Sequence, residues 1–97
     1  MEHRKRLIRL REAQMGICAG CGRAVAKPGR RPPDHPLAPS FDHVIPRSRG
    51  GKDNLGNGLL KHRKCNGERG DRPATGCDRI WQFAVRSALG MATSVGI

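Results

Sequence analysis

Residues Phe41 to Gly70 read FDHVIPRSRGGKDNLGNGLLKHRKCNGERG, and the organisation of the whole chain follows from this run. Ser40 to Val44 has the composition of a short strand and Gly50-Gly51 that of a turn. Gly58 to Lys61 reads as a second strand, and Arg63 to Arg69 as a helix stopped by Gly70. The same run carries an Asp-His pair at Asp42-His43, an Asn at Asn57 and a Cys-Asn pair at Cys65-Asn66. Just upstream stands Cys18-Ala-Gly-Cys21. Together these are the residue types from which metal sites are built.

Two ligand pairs sit at matching spacing, Cys18 and Cys21 in ICAGCGR and His62 and Cys65 in HRKC. A structural zinc takes four thiolate or imidazole ligands in a tetrahedron, and two such knuckles brought together supply that set. Gly20 and Gly22 let the first knuckle fold tightly enough for backbone amides to point at the thiolates. A redox dithiol is the competing reading of a Cys-x-x-Cys. It lacks the β-α-β pattern that accompanies such motifs. Cys77 is the spare thiol, a small buried or partly exposed side chain, with replacement of His62 in the zinc set as its alternative.

Outward from this centre, Glu2 to Gln14 is rich in helix formers, with Leu7, Ile8 and Leu10 forming a narrow apolar stripe among arginines. A basic helix over 2–15, stopped by Gly16, is expected to pack on the domain and to offer phosphate a positive face. A short β-segment is expected around Arg23 to Ala26. The stretch KPGRRPPDHPLAP from Lys27 to Pro39 holds five of the seven prolines, so it predicts a loop, with His35 a loop residue rather than a ligand. Near the C-terminus, the spacing of Ile80, Phe83 and Ala84 predicts a helix over about 78–89 that docks through that apolar face.

The chain has 97 residues, 36% hydrophobic and only 3% aromatic, so one small domain with a thin core is expected, with residues 1–97 as a single unit. A core of that size contributes only ~3–5 kcal/mol, and a structural metal is the expected remedy. Nineteen Lys and Arg stand against eight Asp and Glu, a formal charge of +11, which points to a polyanionic partner and first to nucleic acid. No apolar run approaches the ~20 residues that span a bilayer, and the N-terminus lacks a secretory signal's apolar core. A cytoplasmic protein with no membrane attachment is expected. In a reducing compartment, four cysteines favour zinc over disulfides.

Asp42-His43, Pro46, Gly50-Gly51, Asp53-Asn54-Leu55, Asn57 and Cys65-Asn66 occur in the order and at intervals that resemble the HNH endonuclease family. The resemblance covers about residues 17–72, and Cys18 and Cys21 are similar to its zinc-stapled branch. It implies an α+β fold: a small ββα-metal (His-Me finger) HNH domain stapled by structural Zn²⁺, with N- and C-terminal flanking helices. It implies a metal-dependent DNA endonuclease in which His43 is the general base and Asp42 and Asn66 ligate a catalytic divalent ion. Asn57 would hold the loop that orients the base. Products with a 5′ phosphate and a 3′ hydroxyl follow, as does low sequence specificity, since the Arg63 helix would lie along the minor groove.

In this chain the third motif letter is Asn66 where many members have His. A neutral amide oxygen favours Mg²⁺ or Mn²⁺ over later transition metals. His62 stands where the zinc set often has Cys, a replacement imidazole tolerates. Arg47, Arg49 and Lys52 in the turn, and Arg63, Lys64 and Arg69 on the helix, are the expected phosphate contacts. Each motif residue also has an ordinary structural reading: Asp42 as a capping residue, Asn57 in a left-handed turn, Asn66 at a helix start. The resemblance implies a monomer or homodimer in a bacterial or phage-infected cell, where a terminase or another protein is the candidate partner. Two other classes remain open, a non-catalytic zinc-stabilised nucleic-acid-binding module and an accessory factor of phage packaging.

Overall fold

The computed structural model describes residues 2–91. The order of elements is α1 (His3–Ala13), β1 (Pro39–His43), β2 (Gly58–His62), α2 (Arg63–Arg69) and α3 (Gly76–Ala88). The α+β class and the strand, loop, strand, helix order of the central run both hold. β1 and β2 form one antiparallel pair, with Phe41 opposite Leu60 and His43 opposite Gly58. Only glycine fits at position 58, because a Cβ there would stand 2.3 Å from the Phe41 ring.

A two-stranded ribbon is marginal in water unless its faces and edges are covered. Every residue of β2 is buried. Gln14, at the end of α1 and fully buried, covers the free edge of that strand: its Oε1 accepts from Leu60 N at 2.7 Å and its Nε2 donates to Leu60 O at 3.0 Å. The knuckle adds a second bond, from Ala19 N to the same carbonyl. Leu7 and Leu10 of α1, Leu59 and Leu60 of β2, and Val85 of α3 meet in one cluster with Cys18, Val25 and Phe41. Each aliphatic side chain so buried contributes about 1.5–3 kcal/mol. The β-segment expected at 23–26 is reduced to a single bridge between Ile17 and Ala24. Residues 27–38 are a loop of turns, as their prolines require.

α3 corrects one expectation. Ile80 is 74% exposed and Phe83 52%, and Ala84 is exposed as well, so this face looks to solvent. The inward face is Asp78, Trp81, Val85 and Leu89, spaced i, i+3, i+7 and i+11. Charge fixes the rotation: Asp78 is buried and its Oδ1 lies 2.9 Å from Lys61 Nζ on β2. Turning the helix to bury Ile80 and Phe83 would strip Lys61 of that partner, a cost of about 3–5 kcal/mol. Asp78 also closes the capping box with Thr75 that starts the helix.

Candidate functional site

Cys18, Cys21, His62 and Cys65 bring one ligand atom each to within 4.8 Å of one another. His62 Nε2 lies 2.9 Å from Ala24 O. A carbonyl only accepts, so Nε2 carries the proton and Nδ1 keeps its lone pair, 3.3 Å from Cys21 Sγ. Gly20 N and His62 N both donate to Cys18 Sγ, as backbone amides do around a thiolate. A Cβ at Gly20 would come within 2.9 Å of Cys65 Cβ, so the knuckle requires glycine there. Burial, followed by the neighbouring Cys18 and Cys21 sulfurs, pushes the Cys65 thiol up to about 12. For Cys21, burial works upward, but the Arg23 backbone and hydrogen bonds with Cys18 and Cys65 outweigh it and lower the pKa. Three converging sulfurs and one imidazole nitrogen make a Cys₃His donor set, which points to structural zinc. Cys77 is exposed on α3 and lies outside the four-ligand cluster.

At the far end of β1 a cleft of about 220 Å³ is walled by Asp42, His43, Arg47, Asn66 and Asp71, among others. Three of the motif residues thus share one concavity, supplied by β1 and α2. Asn66 Nδ2 donates to Ser40 Oγ at 2.7 Å and Phe41 O at 3.2 Å. The Phe41 carbonyl fixes which end of the amide is nitrogen, and Oδ1 has no hydrogen-bond partner among the described residues. Asn57 is buried and ties down the returning loop: its Oδ1 accepts from Ile45 N, and its Nδ2 donates to Ile45 O and Lys52 O. Its backbone φ is not in the left-handed region, which removes that ordinary reading. The turn between is equally constrained, since a Cβ at Gly51 would stand 1.7 Å from Ile45 O.

Asp42 is 2% exposed and is held between two cations. Oδ2 lies 2.9 Å from Lys61 Nζ, and Arg69 Nη1 reaches Oδ1 at 2.9 Å and Oδ2 at 3.0 Å. Asp78 joins the other side of the same network, so two carboxylates and two cations form a neutral buried quartet. Burial would lower the Lys61 pKa, but hydrogen bonds to Asp42 and Asp78 win and raise it. For Asp78 burial works upward, and Lys61 and Thr75 bring the carboxyl below its ordinary value. Arg69, expected to contact phosphate, is only 6% exposed and spends its guanidinium on Asp42, His43 O and Val44 O. It is a structural arginine. Arg47, Arg49, Lys52, Arg63 and Lys64 are exposed.

Asp42 and Asn66 would each offer a hard divalent ion in the cleft an oxygen with a lone pair to spare. Asp42 Oδ1 carries a single hydrogen bond and Asn66 Oδ1 none among the described residues. The donor chemistry therefore fits Mg²⁺ or Mn²⁺. The quartet's zero net charge makes the attraction weak.

Two residues of the site have no counterpart in the motif roles read from the sequence. Asp53 Oδ1 lies 2.9 Å from His43 Nε2, and Arg6 of α1 reaches the same oxygen at 2.8 Å. Arg6 also lies over the Phe41 ring, 4.8 Å from its centroid, and Phe41 packs edge-on against His43. The hydrogen bond from His43, opposed by burial and aided by Arg6, lowers the Asp53 pKa below its usual 3.8. Asp53 is visible in the sequence within GGKDN, but its reach to His43 depends on the loop closing back on β1.

No helix among the described residues is long and apolar enough to cross a membrane. The family model for HNH endonuclease matches residues 18–72, more than half of the chain. A search of curated proteins gives no match.

Proposed function

The chain belongs to the HNH endonuclease family, and from that premise we propose that it is a metal-dependent DNA endonuclease with His43 as its general base. The observation that carries this reading is the convergence of Asp42, His43 and Asn66 on one cleft. Asp53 accepts from Nε2 of His43, so the proton sits on Nε2 and Nδ1 is the atom with a lone pair for the attacking water. The backbone clamp of Asn57 fixes the loop carrying Asp53, and Phe41 fixes the ring plane. Asp42 and Asn66 would hold a Mg²⁺ or Mn²⁺ ion, which supplies positive charge for the phosphate and the leaving oxygen. Arg47, Arg49, Lys52, Arg63 and Lys64 present exposed cations for backbone phosphates, with little capacity to read bases. The zinc at the Cys₃His cluster is structural.

The buried ion pairs of Asp42 favour one alternative, a zinc-stabilised module that binds nucleic acid without cutting it. The two readings separate on the product. Nicked plasmid formed in Mg²⁺ and resealed by DNA ligase has the 5′ phosphate and 3′ hydroxyl that the endonuclease reading requires. Plasmid retained but never nicked supports the binding module.

A further inference from the structure

Beyond Phe41, which also walls the cleft, lies a second and larger concavity of about 710 Å³. It is formed by the first turns of α1, the proline-rich loop and the start of β1, with Arg63 at one end. Four arginines line it, Arg4, Arg30, Arg31 and Arg63, and all four are exposed. No Asp or Glu lines it, and among the described residues no carboxylate pairs with any of the four. Arg4 and Arg63 rest against the backbone carbonyls of Pro28 and Asp34, and Arg31 against the His35 ring. Among the described residues, none of the four is held in an ion pair. Apart from His3 and Ser40, the remaining lining is mostly apolar, with Leu7, Pro28, Pro32, Pro33, Pro39 and Phe41 the main contributors.

The loop is built to keep this shape. Its prolines fix φ, and its end is tied to α2 by Arg63 N donating to Ala38 O and Lys64 N donating to Pro36 O. His35 closes the turn by accepting from Leu37 N at 3.0 Å. Such preorganisation is what a binding groove needs.

We propose that this groove takes an unpaired segment of the DNA strand that continues from the catalytic cleft. The inference rests on the nucleic-acid reading above. A duplex offers phosphate ridges with its bases stacked inside, and those ridges would be desolvated against proline without gain. An unpaired strand offers both chemistries the groove displays: phosphates for the arginine rim, and base faces for proline and guanidinium planes. The shared wall at Phe41 makes the two sites neighbours along one strand.

The test uses the zinc-loaded full chain carrying His43→Ala, so that binding is read without cleavage. Fluorescence anisotropy compares a blunt duplex with the same duplex bearing a short oligothymidine overhang. The overhang is expected to tighten binding about tenfold. In the further Arg30→Ala/Arg31→Ala variant, whose fold is checked by zinc content and circular dichroism, the ratio of the two affinities falls to near unity. Arg4→Ala lowers the ratio in the same direction. An overhang without advantage overturns the proposal, and so does an advantage that survives these substitutions. Equal losses on both ligands indicate a uniform surface attraction and overturn it too. Failure of the nuclease reading shows elsewhere, as absence of plasmid cleavage by the unsubstituted protein.

Discussion

Asp53 Oδ1 lies between two side chains, 2.9 Å from His43 Nε2 and 2.8 Å from Arg6 Nη1. The arrangement links the N-terminal helix to the imidazole through one carboxylate. Because that carboxylate accepts only, it selects the tautomer with the lone pair on Nδ1.

Asp53 is a positioning residue, and Asp53→Ala is expected to lower kcat for plasmid nicking about 10- to 100-fold. DNA affinity, measured separately, stays near its original value, since the substitution removes no cation. Asp53→Asn restores part of the rate because an amide oxygen can still accept from Nε2. Equal rates for Asp53→Ala and the unsubstituted protein would remove Asp53 from the account.

Zinc removal tests the staple. The purified chain is expected to carry about one zinc, and a strong chelator should abolish cooperative thermal unfolding, because metal binding energy is folding energy in so small a domain. Cys65→Ser removes the metal and the transition together. Cys77→Ser leaves zinc content and Tm unchanged, since that exposed thiol lies outside the cluster. A loss of zinc in Cys77→Ser would contradict the ligand assignment.

The buried quartet gives stability a pH signature. Lys61 has its pKa raised above 10.5, so its share of the stability is complete below that pH and fades only as pH rises through the higher folded value. Asp78 has its pKa lowered below 3.8, so its share is present above about pH 4 and drains as pH falls through the folded value. Asp78→Asn is expected to cost about 3 kcal/mol near neutrality, from the ion pair and the cap together. The cost is read as the Tm difference between this variant and the parent with both proteins zinc-loaded near neutrality, where Asp78 is ionised and Lys61 is charged. A Tm unchanged by Asp78→Asn would mean that the charge on Asp78 does not matter.

Much of this was legible because local chemistry dictated it. The loop is compelled by its prolines through residue 38, one residue short of the expected 39 because Pro39 opens β1, and α2 runs from Arg63 to Arg69 with Gly70 just beyond, as its sequence predicts. The four ligands of the cluster could be paired by spacing alone. What sequence hid was long-range charge. Asp78 and Lys61 stand 17 positions apart, and nothing local marks them as partners. Their pairing turns α3, so Ile80 and Phe83 face outward despite a periodicity that suits burial. Arg69 looked like any surface arginine on a basic helix, and only the return of α2 over β1 places it against Asp42. Arg6 likewise reaches Asp53 only through the docking of α1.

The central claim, that this fold cuts DNA with His43 as the base, is tested most directly by following cleavage and binding in the same samples. The zinc-loaded chain and His43→Ala are incubated with supercoiled plasmid, with and without millimolar Mg²⁺ or Mn²⁺, and analysed on gels for nicked, linear and retained species. The account predicts metal-dependent nicking by the parent chain and a loss of at least about 100-fold in His43→Ala, with plasmid retention unchanged. Retention without nicking under every metal condition, or nicking that persists undiminished in His43→Ala, would contradict it.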